Sequence, residues 1–185
     1  MKNGVLDTAR FIPSPNCDAR DDEADISLLV IHSISLPPGK FGGNYVQALF
    51  TNQLQPDAHP YFQEIYQLKV SAHLFIRRNG DIVQFVPFHQ RAWHAGKSNF
   101  RGQHRCNDFS IGIELEGCDY QAFTPVQYEQ LISITTSLMH YYPQITADRI
   151  CGHQHIAYKR KTDPGPEFNW SNYLLGLKES PLLKN

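Results

Sequence analysis

Ser27-Leu28-Leu29-Val30-Ile31-His32 is an apolar run closed by a polar ring. Unbroken apolar runs of this length read as strands buried on both faces, and such a strand needs packed layers above and below it. The stretch therefore predicts a sheet with helices on it, with the strand ending at His32. A histidine there has an ordinary use, hydrogen-bonding a neighbouring backbone group, and it gains a chemical role only in company.

Downstream, SISLPPGKFGG (33–43) is too rich in proline and glycine for helix or strand and predicts a loop beside the strand end. Residues 44–50 read as a short helix, and 56–66 as an irregular or weakly helical piece containing His59. Asn79-Gly80, between AHLFIRR and DIVQFV, predicts a hairpin closed by a type I′ turn, with His73 on its first strand. After Trp93-His94-Ala95-Gly96 a polar loop reaches Asn107. SIGIELEG (110–117) alternates, placing Ile111, Ile113 and Leu115 on one side and Ser110, Gly112, Glu114 and Glu116 on the other.

Thr124-Pro125-Val126-Gln127 carries a capping threonine, a first-turn proline and a glutamine at the third helical position, which start a helix. Leu131, Ile134, Leu138 and Tyr141 recur at helical spacing as its buried stripe, ending before Pro143. Residues 148–153 supply a last short strand, and Asn169 caps a final helix carrying Trp170, Tyr173, Leu174 and Leu177. Upstream, residues 1–25 hold Pro13, Pro15 and the acidic run Asp21, Asp22, Glu23 and Asp25, and read as an irregular arm. The expectation is one α/β (α+β mixed) domain over residues 1–185, a central mixed sheet flanked by helices, with a site at one end or face of the sheet.

At 185 residues, 41% hydrophobic, the chain can carry a real core. Its 17 Lys+Arg against 18 Asp+Glu give a formal charge of -1, which favours neither nucleic acid nor an anionic membrane. A small polar partner and a monomer are expected. The first residues hold no signal-peptide core, and the four cysteines form no CxxC pair, so cytoplasmic free thiols are expected. Cys151 reads as a small core residue rather than a ligand.

GHQHIAYKRKTDPGP (152–166) places His153 and Asp163 around a rigid loop. With His32 they make two histidines and a carboxylate, a frequent set for catalytic zinc with an open fourth position. Water bound there falls to a pKa of about 7 and becomes a nucleophile for an amide. Glu114 is a reasonable base and Lys161 a cation for the developing oxyanion. Glu116 shares a face with Glu114, and spacing does not choose between them.

LLVIHSISLPPGKFGG, VSAHLFIRRNGDIVQFVPF, RAWHAG, RCNDFSIGIELEG and GHQHIAYKRKTDPGP, in that order, resemble the zinc-dependent N-acetylmuramoyl-L-alanine amidases over about residues 10–175. Within that family the likeness is to the cytoplasmic branch. It implies one zinc on His32, His153 and Asp163, catalysis by Glu114 and Lys161, and cleavage of soluble 1,6-anhydro-N-acetylmuramyl peptides between the lactyl group and L-alanine in peptidoglycan recycling. It also implies Lys69 and Arg105 as binding residues for substrate carboxylates. Asp163 stands where many relatives carry cysteine, which agrees with the cytoplasmic branch, whereas Tyr158 replaces a usual proline and His155 falls at a variable position. A non-catalytic peptidoglycan-binding module would typically have lost a ligand. A lysin acting on intact wall would normally carry a signal or a wall-binding domain.

Overall fold

A computed structural model describes residues 2–22 and 25–180; Glu23 of the acidic run lies outside them. The N-terminal arm is not irregular throughout. β1 (Arg10–Phe11) and β2 (Cys17–Ala19) add to two different sheets. The buried Arg20 then donates to the carbonyls of Phe88, Asn107, Asp108 and Ser110. Composition pointed to a loose segment, but these anchors are long-range bonds that no local pattern announces.

β3 (Leu28–Ile34) contains the apolar run and passes His32 by two residues, so the histidine lies within the strand rather than at its last position. α1 (Tyr45–Phe50) follows the loop, and a 3-10 turn over Pro56–Ala58 leads to the short α2 (Phe62–Ile65). The hairpin is β4 (Leu74–Ile76) and β5 (Ile82–Gln84). Its turn differs from expectation: the Gly80 N–H donates to the Arg77 carbonyl, Arg77 N–H to Asp81, and Gly80 alone of the Asn-Gly pair takes a positive φ, +89°. One left-handed glycine after a tight turn gives a bulged hairpin, whereas type I′ needs two positive φ values.

β6 (Gln90–Ala92) follows the hairpin, and β7 (Asn99–Phe100) and β8 (Gln103–His104) are short strands in the stretch read as a polar loop. β6 pairs with β2, tied by Arg91 bridging Asp18 and Asp108. β9 (Ser110–Glu116) is buried along its whole length, so its alternation marks two different interiors rather than an inside and a solvent face. α3 (Pro125–Tyr141) begins with the full capping box between Thr124 and Gln127. Leu131, Ile134 and Leu138 are buried, but Tyr141, the last residue of the helix, is 53% exposed, and the next residue, Tyr142, packs against that core instead. β10 (Ile150–Gly152) runs directly into α4 (His153–Ile156), and α5 (Trp170–Glu179) starts at Asn169, whose side chain accepts from Asn172 N–H.

The main sheet has the order β1-β5-β4-β9-β3-β10, with β4, β9, β3 and β10 mutually parallel and β5 antiparallel to β4. This is the expected mixed sheet. On one face Leu29, Ile31, Leu74, Ile76, Ile111, Ile113 and Leu115 pack against α3 and α5. The opposite face carries two smaller cores. One forms around Phe75, Phe85 and α1, the other around Leu28, Val30, Cys106 and Cys151. A polar row emerges between them.

Candidate metal centre

Strand register builds that row. Val30 lies opposite both Gly112 and Cys151. Side chains two residues on share a face, so His32, Glu114 and His153 follow at the carboxyl ends of three neighbouring parallel strands. Asp163 arrives from the loop after α4, held by the Gln154 N–H donating to its backbone carbonyl at 2.9 Å.

His32 Nδ1 is 3.0 Å from His153 Nδ1 and 3.0 Å from Asp163 Oδ2, and His153 Nδ1 is 3.1 Å from the same carboxylate oxygen. Among the described residues this trio is the group able to hold a metal ion. The edges of a tetrahedron with zinc–ligand bonds of about 2.0–2.1 Å measure about 3.3 Å, close to these spacings. His153 Nε2 lies 3.1 Å from the Ala95 carbonyl, which can only accept. The ring therefore carries its proton on Nε2 and turns a bare Nδ1 to Asp163. The donor set fits zinc.

Burial works against charge here. It lowers the His32 ring to about 4, only partly offset by Asp163. Burial also pushes Asp163 upward, but the two histidines facing it outweigh that and hold its carboxyl well below the usual range. Glu114 moves the other way. Burial first, then the neighbouring Asp163 charge, raise it well above an ordinary glutamate, with Lys161 opposing. Its Oε1 is 4.0 Å from His32 Nδ1, and its buried Oε2 has no hydrogen-bond partner among the described residues.

Glu116 differs. Two residues further along β9, it sits opposite Ile34, and its oxygens accept the N–H groups of Gly42 and Arg78. A cavity of about 420 Å³ opens over the cluster, lined by His32, Glu114, His153, Lys161 and Asp163, with Tyr61 and His94 beside them. Lys69 and Arg105 are both exposed and do not line it; Lys69 falls between the lining residues Leu68 and Val70, and Arg105 pairs with Asp108 at 3.0 Å. Cys151 packs in the apolar cluster behind the site. His155 caps the Gly152 N–H through its Nδ1, and Tyr158 is exposed.

The sequence reading gave His94 no part in the site. The ring touches His32, with Nδ1 2.9 Å from His32 Nε2. The motif RAWHAG marked its neighbourhood, but nothing local tells which atom of a distant strand a ring will meet.

Residues 22–166 match the family model described as N-acetylmuramoyl-L-alanine amidase. A relative from Salmonella typhimurium (strain SL1344), the 1,6-anhydro-N-acetylmuramyl-L-alanine amidase AmpD, is 59% identical over 170 residues, 92% of this chain and 90% of its own. A crystal structure of a selenomethionine AmpD derivative superposes with a TM-score of 0.93 at 55% identity, covering 96% of this chain and 98% of that one. The Escherichia coli amidase AmiD, solved with the substrate anhydro-N-acetylmuramic acid-L-Ala-D-gamma-Glu-L-Lys, gives 0.62 at 30% identity, covering 95% of this chain and 64% of that one.

Proposed function

This chain belongs to the N-acetylmuramoyl-L-alanine amidase family, and on that premise we propose a zinc amidase with its metal on His32, His153 and Asp163. It hydrolyses the amide between the lactyl group of 1,6-anhydro-N-acetylmuramic acid and L-alanine in muropeptides, a reaction of peptidoglycan recycling. One observation carries the residue assignment: a buried glutamate with an oxygen unpartnered among the described residues stands beside three converging ligand atoms in a single cavity.

Zinc bound there supplies a water of lowered pKa and polarises the amide carbonyl. Glu114, with Oε2 free to accept, takes the proton from the attacking water and returns it to the leaving amine. Lys161 lines the same cavity and places a positive charge against the oxyanion as it forms. The apolar walls around Leu49, Phe50 and Ile65 seat the uncharged part of the substrate. Lys69, between the lining residues Leu68 and Val70, and Arg105, exchanging its bond to Asp108 for one to substrate, serve as cationic partners for stem-peptide carboxylates.

AmiD was solved with an anhydro-muropeptide, and a soluble fragment of that kind suits an enzyme of the cytoplasm. No helix among the described residues is long and apolar enough to cross a membrane. The test offers purified protein an anhydro-muropeptide, its non-anhydro counterpart and intact sacculi, and measures release of the L-alanyl peptide before and after chelation. Activity on the anhydro form, lost with the metal and restored by zinc, is expected. Full activity without metal overturns the zinc assignment, and preference for sacculi overturns the recycling role.

A further inference from the structure

We propose that His94 and Ser110 form a positioning relay that fixes the tautomer of His32 and presents a bare Nδ1 to the metal. This rests on the zinc reading above.

The argument starts at the far end, on the carbonyl of Cys106, which has no proton to give. Ser110 Oγ makes a short contact with it, so the hydroxyl donates its one hydrogen there. Ser110 Oγ is also 3.1 Å from His94 Nε2, and with its own hydrogen engaged it accepts from His94 Nε2–H. A neutral imidazole carries a single N–H, so His94 Nδ1 is an acceptor. That atom lies 2.9 Å from His32 Nε2, which must be the donor. His32 then has no proton on Nδ1, the atom 3.0 Å from both His153 Nδ1 and Asp163 Oδ2. The reverse assignment leaves the short oxygen–oxygen contact at Cys106 without a hydrogen and drives a proton into the ligand cluster.

Each step requires neutral rings. The 2.9 Å contact between His32 Nε2 and His94 Nδ1 holds a single hydrogen, and a ligating imidazole is bare on the nitrogen it turns to the metal. The relay is also held in place. The N–H groups of His94 and Ala95 both donate to Asn107 Oδ1, at 3.2 and 2.8 Å. Gly112 lies under the His94 ring so closely that a Cβ would stand 2.5 Å from its Cγ and 2.6 Å from its Nδ1.

His153 reaches the same state separately, through Ala95. Three lone pairs then converge with no proton among them. A dication satisfies that arrangement, and hydrogen-bond partners on the far nitrogens of ligand histidines are worth about 10–100-fold in metal affinity.

Two measurements test the relay. Imidazole nitrogen NMR of the metal-free protein reads the tautomers directly, and competition with a chelating dye reads zinc affinity. Expected are Nε2–H tautomers at His94 and His32. Zinc binding should weaken about 10–100-fold in His94→Phe and be largely recovered in His94→Gln, whose amide oxygen accepts the His32 N–H. Ser110→Ala should weaken zinc binding as well and loosen the tautomer of His94. A thermal scan in chelator shows whether each variant folds; should His94→Phe not fold, Ser110→Ala and the wild-type spectrum decide. Nδ1–H at either ring overturns the relay. So do equal losses in His94→Phe and His94→Gln, which would mean packing alone, and so does unchanged affinity in Ser110→Ala. A wild-type protein that binds no zinc sinks the metal reading instead, while its tautomers still decide the relay.

Discussion

Glu114 and Glu116 lie two residues apart on one face of one strand, and exchanging each for glutamine separates chemistry from architecture. Glu116 is 3% exposed, and each of its oxygens accepts a backbone N–H, from Gly42 and from Arg78. Hydrogen bonds to a charged group contribute about 1.5–3 kcal/mol each. Glutamine keeps one carbonyl oxygen but sets an NH2 against the other donor, so Glu116→Gln costs about 1.5–3 kcal/mol. At about 2–4 °C per kcal/mol for a domain of this size, Tm falls by about 3–12 °C. Glu116→Ala loses both acceptors and falls further. Below its melting range the glutamine variant should turn over substrate at close to the parental kcat.

Glu114→Gln reverses the pattern, because its buried Oε2 has no hydrogen-bond partner among the described residues to lose. Tm should stay at or above the parental value, while kcat falls on the order of a hundredfold or more, the scale of a removed proton shuttle. Calorimetry and steady-state kinetics on the two proteins decide the matter. An inactive Glu116→Gln protein with parental Tm would refute the reasoning, since Glu116 would then be acting on substrate.

Three further outcomes follow from particular contacts. Gly112→Ala forces a methyl group into the His94 ring, so it should cost about 1–3 kcal/mol by overpacking and also weaken zinc binding; parental zinc affinity in the folded variant would show that ring position does not matter. Arg105→Ala should raise KM by more than it lowers kcat, the signature of a lost uniform binding contact, and parental KM would remove Arg105 from the substrate. Burial pushes the Cys151 thiol up to about 12, so a thiol reagent at pH 8 should leave it unmodified until the protein unfolds, and its labelling in the native state would contradict its place in the core.

What the sequence disclosed follows from how far each signal reaches along the chain. Thr124, Pro125 and Gln127 specify a helix start among themselves, and the structure has the capping box they announce. The run before His32 and the alternation of 110–117 gave the sheet, and two histidines with Asp163 gave a cluster that the fold does assemble. Short strands escaped notice because they owe their existence to distant partners: β2 to Arg91, and Asn16 beside it to the Ser71 hydroxyl that its carbonyl accepts. Glu114 and Glu116 were indistinguishable by spacing because what separates them is the company each keeps, the cavity beside the metal ligands or two backbone donors. Tyr141 had the right spacing and the wrong position, at the last residue of α3, where Tyr142 rather than Tyr141 packs against the core.

The pairing of β3 with β10 joins residues 29–31 to 150–152, and it brings His32 beside His153 and Asp163. In the growing polypeptide the first ligand therefore waits for more than half of the chain before its partners exist. Such non-local parallel pairing is the slow part of folding, since a long loop closes before any contact rewards it. On the proposed zinc assignment, metal captured by the completed trio would add its binding energy to that closure and so act on the folding equilibrium itself. A ribosome that stalls before residue 150 releases a chain with neither β10 nor a second ligand. Metal retention would thus report that translation reached Asp163 and that β10 has paired with β3.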